Sequence, residues 1–329
     1  MSAAMHDNLP AGAAVVVDGL TKTYGRTQAL DGLTFQVPRG SIFGLLGPNG
    51  AGKSTALNIL CGWLQQDAGS ATVLGERPRA LYRLGGRVAA LPQDAQFPPR
   101  LPVIRQLEHF ARLMGITKDA AKTRARRALE RVGLNEVAHK RGEHLSHGMR
   151  KRAGIAQTLL GAPELIILDE PTAGLDPGHA RQVKDLLAAL APSTTVLISS
   201  HNLPELQEVC THGAILHQGR QIRLGSIAEL TGQGTKVTIE LAEVPPEARE
   251  RFERALQTHF AADAMRWVTQ QTLALRCASE LPLSESIGTA LRLLLQENAP
   301  ILGLRRGTSL EQAFLQATGG QAVTSSSAR

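Results

Sequence analysis

The segment at residues 47–55, read GPNGAGKST, constrains the fold of this chain more than any other segment. It lies between the apolar runs SIFGLLG and ALNILCGWL, so a loop with three glycines joins two elements that we expect to be buried. Ordering such a loop opposes folding, because glycine loses more conformational freedom than other residues. We therefore expect a bound group to stabilise the loop, and the closing Lys-Ser-Thr indicates its chemistry.

The segment matches the pattern G-x-x-x-x-G-K-[ST] in the strand–loop–helix setting that a phosphate-binding loop requires. Its glycines let successive backbone N–H groups point at phosphate oxygens, and the following helix presents the positive end of its dipole. Lys53 is predicted to reach the β- and γ-phosphates, and the Ser54 hydroxyl to hold Mg²⁺. The predicted nucleotide contacts in this segment are Gly47, Pro48, Asn49, Gly50, Ala51, Gly52, Lys53, Ser54 and Thr55.

The run LIILDE at residues 165–170 supplies two carboxylates. Its four apolar residues predict a fully buried strand, so Asp169 and Glu170 emerge at the carboxyl end, where open α/β sheets bind ligands. Asp169 suits the coordination shell of Mg²⁺, and Glu170 is placed to act as a general base toward an attacking water. A solvated acidic pair at a strand end is the alternative, and the upstream Lys53 disfavours it.

Further motifs follow in a fixed order. LSHGMRKR at residues 145–152 is followed by LIILDEPTAGLDP and then by LISSH, which ends at His201. Together with the phosphate loop, this order resembles the ATP-binding cassette (ABC) ATPases over residues 14–230. The resemblance implies ATP and Mg²⁺ as ligands, ATP hydrolysis as the reaction, and a P-loop NTPase fold.

The resemblance assigns roles to three residues outside the phosphate loop and the acidic pair. Tyr24 is implied to stack on adenine, Gln93 to contact Mg²⁺ and the attacking water, and His201 to contact the γ-phosphate. Read alone, Tyr24 is more typical of a half-buried sheet residue, and His201 fits a hydrogen-bonded strand end equally well. The predicted catalytic residues are therefore Lys53, Gln93, Glu170 and His201, and the predicted metal contacts are Ser54, Gln93 and Asp169.

The motif LSHGMRKR departs from the family pattern Leu-Ser-Gly-Gly-Gln. The resemblance implies that Ser146 and Gly148 contact the γ-phosphate across a dimer interface, and that Asp176 communicates between two sites. His147 replaces the first glycine of the pattern and Met149 replaces its glutamine. A side chain at position 147 requires backbone dihedrals that tolerate a Cβ. An imidazolium could add a contact to phosphate, but we favour an imidazole that points into solvent.

Strands and helices alternate along much of the chain, which predicts a parallel sheet flanked by helices. Residues 98–157 are mainly helical and are predicted to form a subdomain attached to that sheet. The order strand, helix, strand, strand, helix, strand over residues 236–305 predicts a small ferredoxin-like unit. The expected fold is an α/β P-loop NTPase core with an antiparallel β subdomain and a helical subdomain, followed by an α+β domain. The expected divisions are a flexible N-terminus (1–13), a nucleotide-binding domain (14–230), an accessory domain (235–318) and a disordered tail (319–329).

The net charge of +7 is concentrated in one part of the chain. Residues 118–152 contain eleven Lys or Arg and four Asp or Glu, so they account for the whole surplus. Such a cluster is explained by a solvated helix face, or by binding to an anionic membrane surface, a nucleotide phosphate or nucleic acid.

The apolar runs are shorter than the roughly 20 residues that span a bilayer, and MSAAMHDNLPAG is not typical of a signal peptide. Cys61, Cys210 and Cys277 have no metal-ligand spacing, and we expect reduced thiols.

The sequence has one phosphate loop and one LSHGMRKR motif, so the resemblance implies that two copies of the chain dimerise around two ATP molecules. The expected partner is a separate membrane permease. The expected location is the cytoplasmic face of the inner membrane, to which the protein is attached peripherally. The segment ILGLRRGTSLEQAFLQATGG resembles the end of ABC-2-type exporter subunits of the drug-resistance kind, so we favour export over import.

Two other classes compete with a transporter motor. A soluble ABC ATPase that acts on nucleic acid or ribosomes would fit the basic surplus. However, the chain lacks both the long insertions of the DNA-repair kind and the second cassette of the translation-factor kind. A phosphate-binding enzyme such as a kinase would leave LSHGMRKR unexplained. We therefore expect no nucleic-acid partner.

Overall fold

The computed structural model describes residues 12–95, 97–191, 193–233, 235–277 and 282–318. The chain forms two compact units, one that reaches Leu224 and one that comprises Gly225–Ala322. The predicted boundary at 230–235 therefore lies inside the second unit. Residues 1–11 of the predicted flexible N-terminus and all of the predicted tail lie outside the described residues.

The first unit is built on a six-stranded sheet, whose last strand continues two residues past Leu224. Its strands are β3 (Ile42–Leu46), β5 (Val88–Leu91), β6 (Leu165–Asp169), β7 (Thr195–Ser200), β8 (His212–His217) and β9 (Arg220–Ser226), in the order β5-β6-β7-β3-β8-β9. The pairs from β5 to β8 are parallel. Every residue of β3, β6 and β7 is buried, as expected for parallel strands that are covered on both faces. This confirms the predicted parallel sheet.

A second sheet of the first unit is antiparallel. It consists of β1 (Ala13–Tyr24), β2 (Thr27–Pro38) and β4 (Ala68–Val73), in the order β2-β1-β4. One apolar core joins it to the parallel sheet, and within that core the rings of Phe35 and Phe43 stack with centroids 5.6 Å apart. The antiparallel β subdomain is therefore present. Its first two strands are longer than the apolar runs of the sequence indicate, because hydrogen bonding between the strands continues through polar residues.

The helices of the first unit are α1 (Lys53–Leu60), α2 (Val103–Leu113), α3 (Lys118–Arg131), α4 (His147–Thr158), α5 (Pro177–Leu190) and α6 (Leu203–Val209). Helices α2, α3 and α4 pack together and form the predicted helical subdomain. On α3 the buried stripe is mostly alanine, and Arg126, Arg127 and Arg131 are exposed on the other side. Most of the basic surplus therefore faces solvent, whereas Lys122 and Lys151 are half-buried and Arg152 is buried.

The second unit contains a four-stranded antiparallel sheet. Its elements are α7 (Ile227–Thr231), β10 (Lys236–Leu241), α8 (Pro246–Gln257), β11 (Met265–Thr269), β12 (Thr272–Arg276), α9 (Leu283–Gln296), β13 (Ile301–Arg306) and α10 (Leu310–Ala317). The strand order is β11-β12-β10-β13, and α8 and α9 supply apolar side chains to its core. The predicted element order is present, and a ferredoxin-like fold stays a prediction for this unit.

The last helix explains why the second unit begins before the predicted boundary. Ser309 and Gln312 form a capping box at the start of α10, and Phe314 is buried. Helix α10 packs against α7, and Thr308 N donates to Thr231 O at 2.8 Å. Helix α7 therefore belongs to the second unit, where the last helix packs against it.

The three cysteines are free, as the sequence predicts. Burial raises the pKa of the Cys61 and Cys210 thiols to about 12, so both are protonated at neutral pH. Within the described ranges, no helix combines the length and apolar character that crossing a membrane requires.

Truncation of the central strand β7 tests the assignment of the core. Leu197→Ala should lower the free energy of unfolding by about 2–5 kcal/mol, because the fully buried side chain would leave a cavity. Leu113→Ala is the matched control, and it should change this free energy by less than about 0.5 kcal/mol, because Leu113 is 70% exposed. Urea unfolding measures both values. Equal effects would contradict the position of β7.

Candidate functional site

The glycine-rich loop joins the carboxyl end of β3 to α1. Gly47, Gly50 and Gly52 have φ angles of +154°, +78° and +100°. A Cβ at Gly47 would lie 2.3 Å from the Leu216 carbonyl oxygen, and one at Gly52 would lie 2.5 Å from the Ala29 carbonyl oxygen. Larger residues are therefore excluded at both positions, by close backbone contact as well as by the backbone conformation.

Helix α1 begins at this loop without a side-chain cap. Its N-cap, Gly52, is in the left-handed conformation and offers no side-chain acceptor. The N–H groups of the first turn have no intrahelical partner, and the positive end of the helix dipole lies here. Ser54 and Thr55 are half-buried in the same turn. A glycine cradle followed by free N–H groups fits a phosphate group.

Lys53 is buried at the start of α1. Its ammonium donates to the Gly47 oxygen at 2.8 Å and to the Pro48 oxygen at 3.0 Å, and it lies 3.8 Å from Glu170 Oε1. Burial lowers the pKa of Lys53, while the charges of Glu170 and Asp169 act in the opposite direction. The structure therefore joins the predicted phosphate lysine to the predicted acidic pair, which are far apart in sequence.

Asp169 and Glu170 are buried at the carboxyl end of β6. Parallel pairing places Asp169 opposite Ser199 of β7, and the Ser199 hydroxyl donates to Asp169 Oδ1. Ser199 Oγ in turn accepts a hydrogen bond from Glu170 N at 3.1 Å. Glu170 has a φ of +50°, a conformation that is strained for a residue with a side chain. Ser199 thus holds both acidic residues.

The sequence analysis missed Ser199. It lies two residues before His201 in the LISSH segment and resembles any small polar residue at a strand end. The signal that could have identified it is the expected pairing of two buried strands whose polar ends meet at the same sheet edge.

His201 follows β7 and contacts Glu170. The distance from His201 Nδ1 to Glu170 Oε2 is 2.9 Å, and the imidazole is half exposed. Glu170 therefore has Lys53 near one carboxylate oxygen and His201 near the other. The structure brings together three of the four predicted catalytic residues.

Gln93, the fourth, lies in the exposed loop after β5. Its backbone oxygen accepts a hydrogen bond from Lys151 Nζ at 2.7 Å. Tyr24 ends β1 with its side chain 49% exposed, and Lys22 Nζ lies 5.8 Å from its ring centroid. An exposed ring of this kind is available for stacking, and its predicted contact with adenine stays a prediction.

The LSHGMRKR motif forms the start of α4. Ser146 is the N-cap and accepts a hydrogen bond from Met149 N at 3.2 Å. The exposed imidazole of His147 approaches the Ala173 oxygen, with Nε2 at 3.4 Å. The His147 side chain is thus exposed to solvent, and it also contacts its own chain. Among the described residues, no hydrogen bond or ion pair joins Ser146 to the glycine-rich loop.

Asp176 caps helix α5. It accepts a hydrogen bond from His179 N at 3.1 Å, and its carboxylate also pairs with His179 Nδ1. The hydrogen bond from the His179 ring lowers the pKa of Asp176. A Cβ on Gly148 would lie 3.7 Å from the His179 ring and 3.4 Å from Leu175. The segment that contains Asp176 thus packs beside the LSHGMRKR helix of the same chain.

Comparison with known proteins agrees with this geometry. The family model described as ABC transporter matches residues 30–173. A Nod factor export ATP-binding protein I from Ralstonia nicotianae is 35% identical over 92% of this chain and 93% of its own length. The daunorubicin/doxorubicin resistance ATP-binding protein DrrA from Streptomyces peucetius is 32% identical over 93% and 92% of the two chains.

Solved structures show the same fold. The cbiO1 protein of Clostridium perfringens, part of an ABC transporter complex, is 28% identical with a TM-score of 0.60, covering 67% of this chain and 91% of its own. An ATP-binding cassette of an ABC transporter in its ADP conformation is 25% identical with a TM-score of 0.58, covering 65% and 91%. With the glycine cradle, the buried lysine and the paired carboxylates in place, this chain belongs to the ABC transporter family, as one of its ATP-binding subunits with ATPase activity.

Proposed function

We propose that this chain is the ATP-hydrolysing subunit of an ABC-2-type exporter, in which two copies close around two ATP molecules and drive a separate membrane permease. The observation that carries the proposal is the cluster of Lys53, Glu170 and His201 at the end of the glycine-rich loop. Relatives that align over more than nine-tenths of the chain are named as export and resistance proteins, which supports export.

Glu170 would act as the general base. One carboxylate oxygen would accept a proton from water as the water oxygen bonds to the γ-phosphorus, and the bond from that phosphorus to the bridging oxygen of ADP would break. Lys53 would offset the negative charge on the phosphate oxygens. The His201 contact orients the Glu170 carboxylate, so that the base does not rotate away from the water.

Ser54, Gln93 and Asp169 would hold Mg²⁺, since hydroxyl, amide and carboxylate oxygens are the ligands that this ion prefers. The ion supplies charge neutralisation at the β- and γ-phosphates. Asp169 is suited to this role because Ser199 fixes its carboxylate while the burial of β6 excludes most water.

The second copy would supply Ser146 and Gly148 to the γ-phosphate. Both residues lie at the start of α4, where the helix dipole favours a negative group. Asp176 and His179 would accompany them, because His179 lies beside Gly148 and pairs with Asp176. The permease, rather than this subunit, would select the exported substrate. The comparisons do not favour the alternative of an ABC-type ATPase that acts on nucleic acid.

Removal of the loop lysine tests the nucleotide site. Lys53→Ala should reduce ATP hydrolysis by at least about 10²-fold, because no other side chain of the loop carries a charge to the phosphates. Lys184→Ala removes a lysine that pairs with Glu208 on the surface, and it should keep the wild-type rate. Phosphate release with MgATP measures both rates, and hydrolysis by Lys53→Ala at the wild-type rate would refute the assignment.

Removal of the general base tests the dimer. Glu170→Gln should bind ATP, lose roughly 10²–10⁴-fold in hydrolysis rate and accumulate as an ATP-bound dimer, because the amide cannot accept the water proton. The matched control is Glu164→Gln near the other end of β6, whose carboxylate forms surface ion pairs with Arg87 and Arg39. Size-exclusion chromatography with light scattering measures the mass. A Glu170→Gln variant that stays monomeric in ATP would contradict the two-copy arrangement.

Isolation from native membranes tests the partner. Affinity purification of the tagged chain in mild detergent should recover one polytopic membrane protein in a fixed ratio, because a permease must contact the subunit that drives it. Nuclease-treated and untreated samples should give the same result. Recovery of nucleic acid or ribosomes, without a membrane protein, would favour the alternative function.

A further inference from the structure

Lys151 connects the LSHGMRKR helix to the loop that carries Gln93. Lys151 is half-buried and lies one turn into α4, and its ammonium donates a hydrogen bond to the Gln93 backbone oxygen at 2.7 Å. The acceptor belongs to the main chain, so the bond fixes the position of the loop and leaves the Gln93 amide free for another partner.

The same face of α4 packs against the strand that leads into this loop. Gly154 lies three residues after Lys151, and residues at this spacing share a helix face. A Cβ on Gly154 would lie 2.8 Å from Leu91 Cδ1, so the helix backbone closely approaches the end of β5. Helix α4 therefore contacts β5 by packing and the following loop by a hydrogen bond.

The Lys151 ammonium also interacts electrostatically with three carboxylates, those of Asp94, Asp169 and Glu170. Burial lowers the pKa of Lys151, whereas the carboxylates of Asp94, Asp169 and Glu170 favour its charged form. Lys53 has the same balance of burial against the charges of Glu170 and Asp169. Two lysines, one from α1 and one from α4, thus act electrostatically on the same pair of carboxylates.

We propose that Lys151 is a positioning residue of the ATPase site, which holds the Gln93 loop so that the Gln93 amide faces the water activated by Glu170. The inference rests on the proposed function. Lys151 acts through Gln93 and does not contact the reacting atoms. Because α4 also begins with Ser146, the bond ties the loop of one active site to the motif that would face the nucleotide of the other copy.

Three variants test this role in the full-length chain. Lys151→Met removes the donor and keeps the apolar stem, and it should lower kcat roughly 10–100-fold with little change in the Kd for ATP. Lys151→Arg keeps a cationic donor and should recover a large part of the lost rate. Lys140→Met removes an exposed lysine of the same subdomain and should match the wild type. The measurements are kcat, nucleotide Kd and melting temperature.

A double variant shows whether Lys151 acts through Gln93. In a Gln93→Ala background, Lys151→Met should cause little further loss of kcat, because the group that it positions is already absent. Two fully additive losses would overturn the proposal, and so would a wild-type kcat in Lys151→Met. A lowered melting temperature together with a lost ATP affinity would assign Lys151 a structural role instead.

The same data separate this inference from the function on which it rests. Absence of ATP hydrolysis by the wild-type chain would overturn the proposed function and the role of Lys151 together. Hydrolysis by the wild type, with an unchanged rate in Lys151→Met, would overturn only the role of Lys151.

Discussion

The burial of the Lys53 ammonium beside Glu170 is the interaction on which the site depends. A buried charge is stable only when it is paired and hydrogen-bonded, and here two loop carbonyls and one carboxylate meet that need. Breaking such a pair by removing one partner typically costs about 3–5 kcal/mol. The loop, α1 and the end of β6 must therefore keep their relative positions, and phosphate oxygens would take over part of the same charge balance.

The main chain around this pair adopts conformations that are unfavourable for a residue with a side chain. Gly47 and Gly52 occupy positions where a Cβ would meet a carbonyl oxygen, and Glu170 has a positive φ although it carries a side chain. Strain at a residue with a side chain, as at Glu170, amounts to about 1–3 kcal/mol and persists only where surrounding contacts enforce it. At Glu170 those contacts come from Ser199, whose strand is fixed by burial on both faces.

Much of the fold and the site could be predicted from local patterns, because residues close together in the sequence are enough to form these features. The glycine-rich loop, the acidic strand end and the mainly helical stretch at 98–157 are of this kind, and the structure contains each of them. The sequence analysis did not identify β8, β9 or α6, whose short runs carry weak signals. It also missed the contact between His147 and Ala173, which depends on how two distant segments pack.

The sequence by itself determined the phosphate loop, the carboxylates and the family. Each is recognised from a short run of neighbouring residues whose types and spacing suit phosphate or metal binding. Only the tertiary structure decided which distant groups meet. Ser199 reaches Asp169 because β6 and β7 pair in parallel, and Lys151 reaches Gln93 because α4 packs on β5. Contacts of this kind depend on strand register and helix packing, which are set by the burial of side chains throughout the unit and leave no local pattern at the residues that use them.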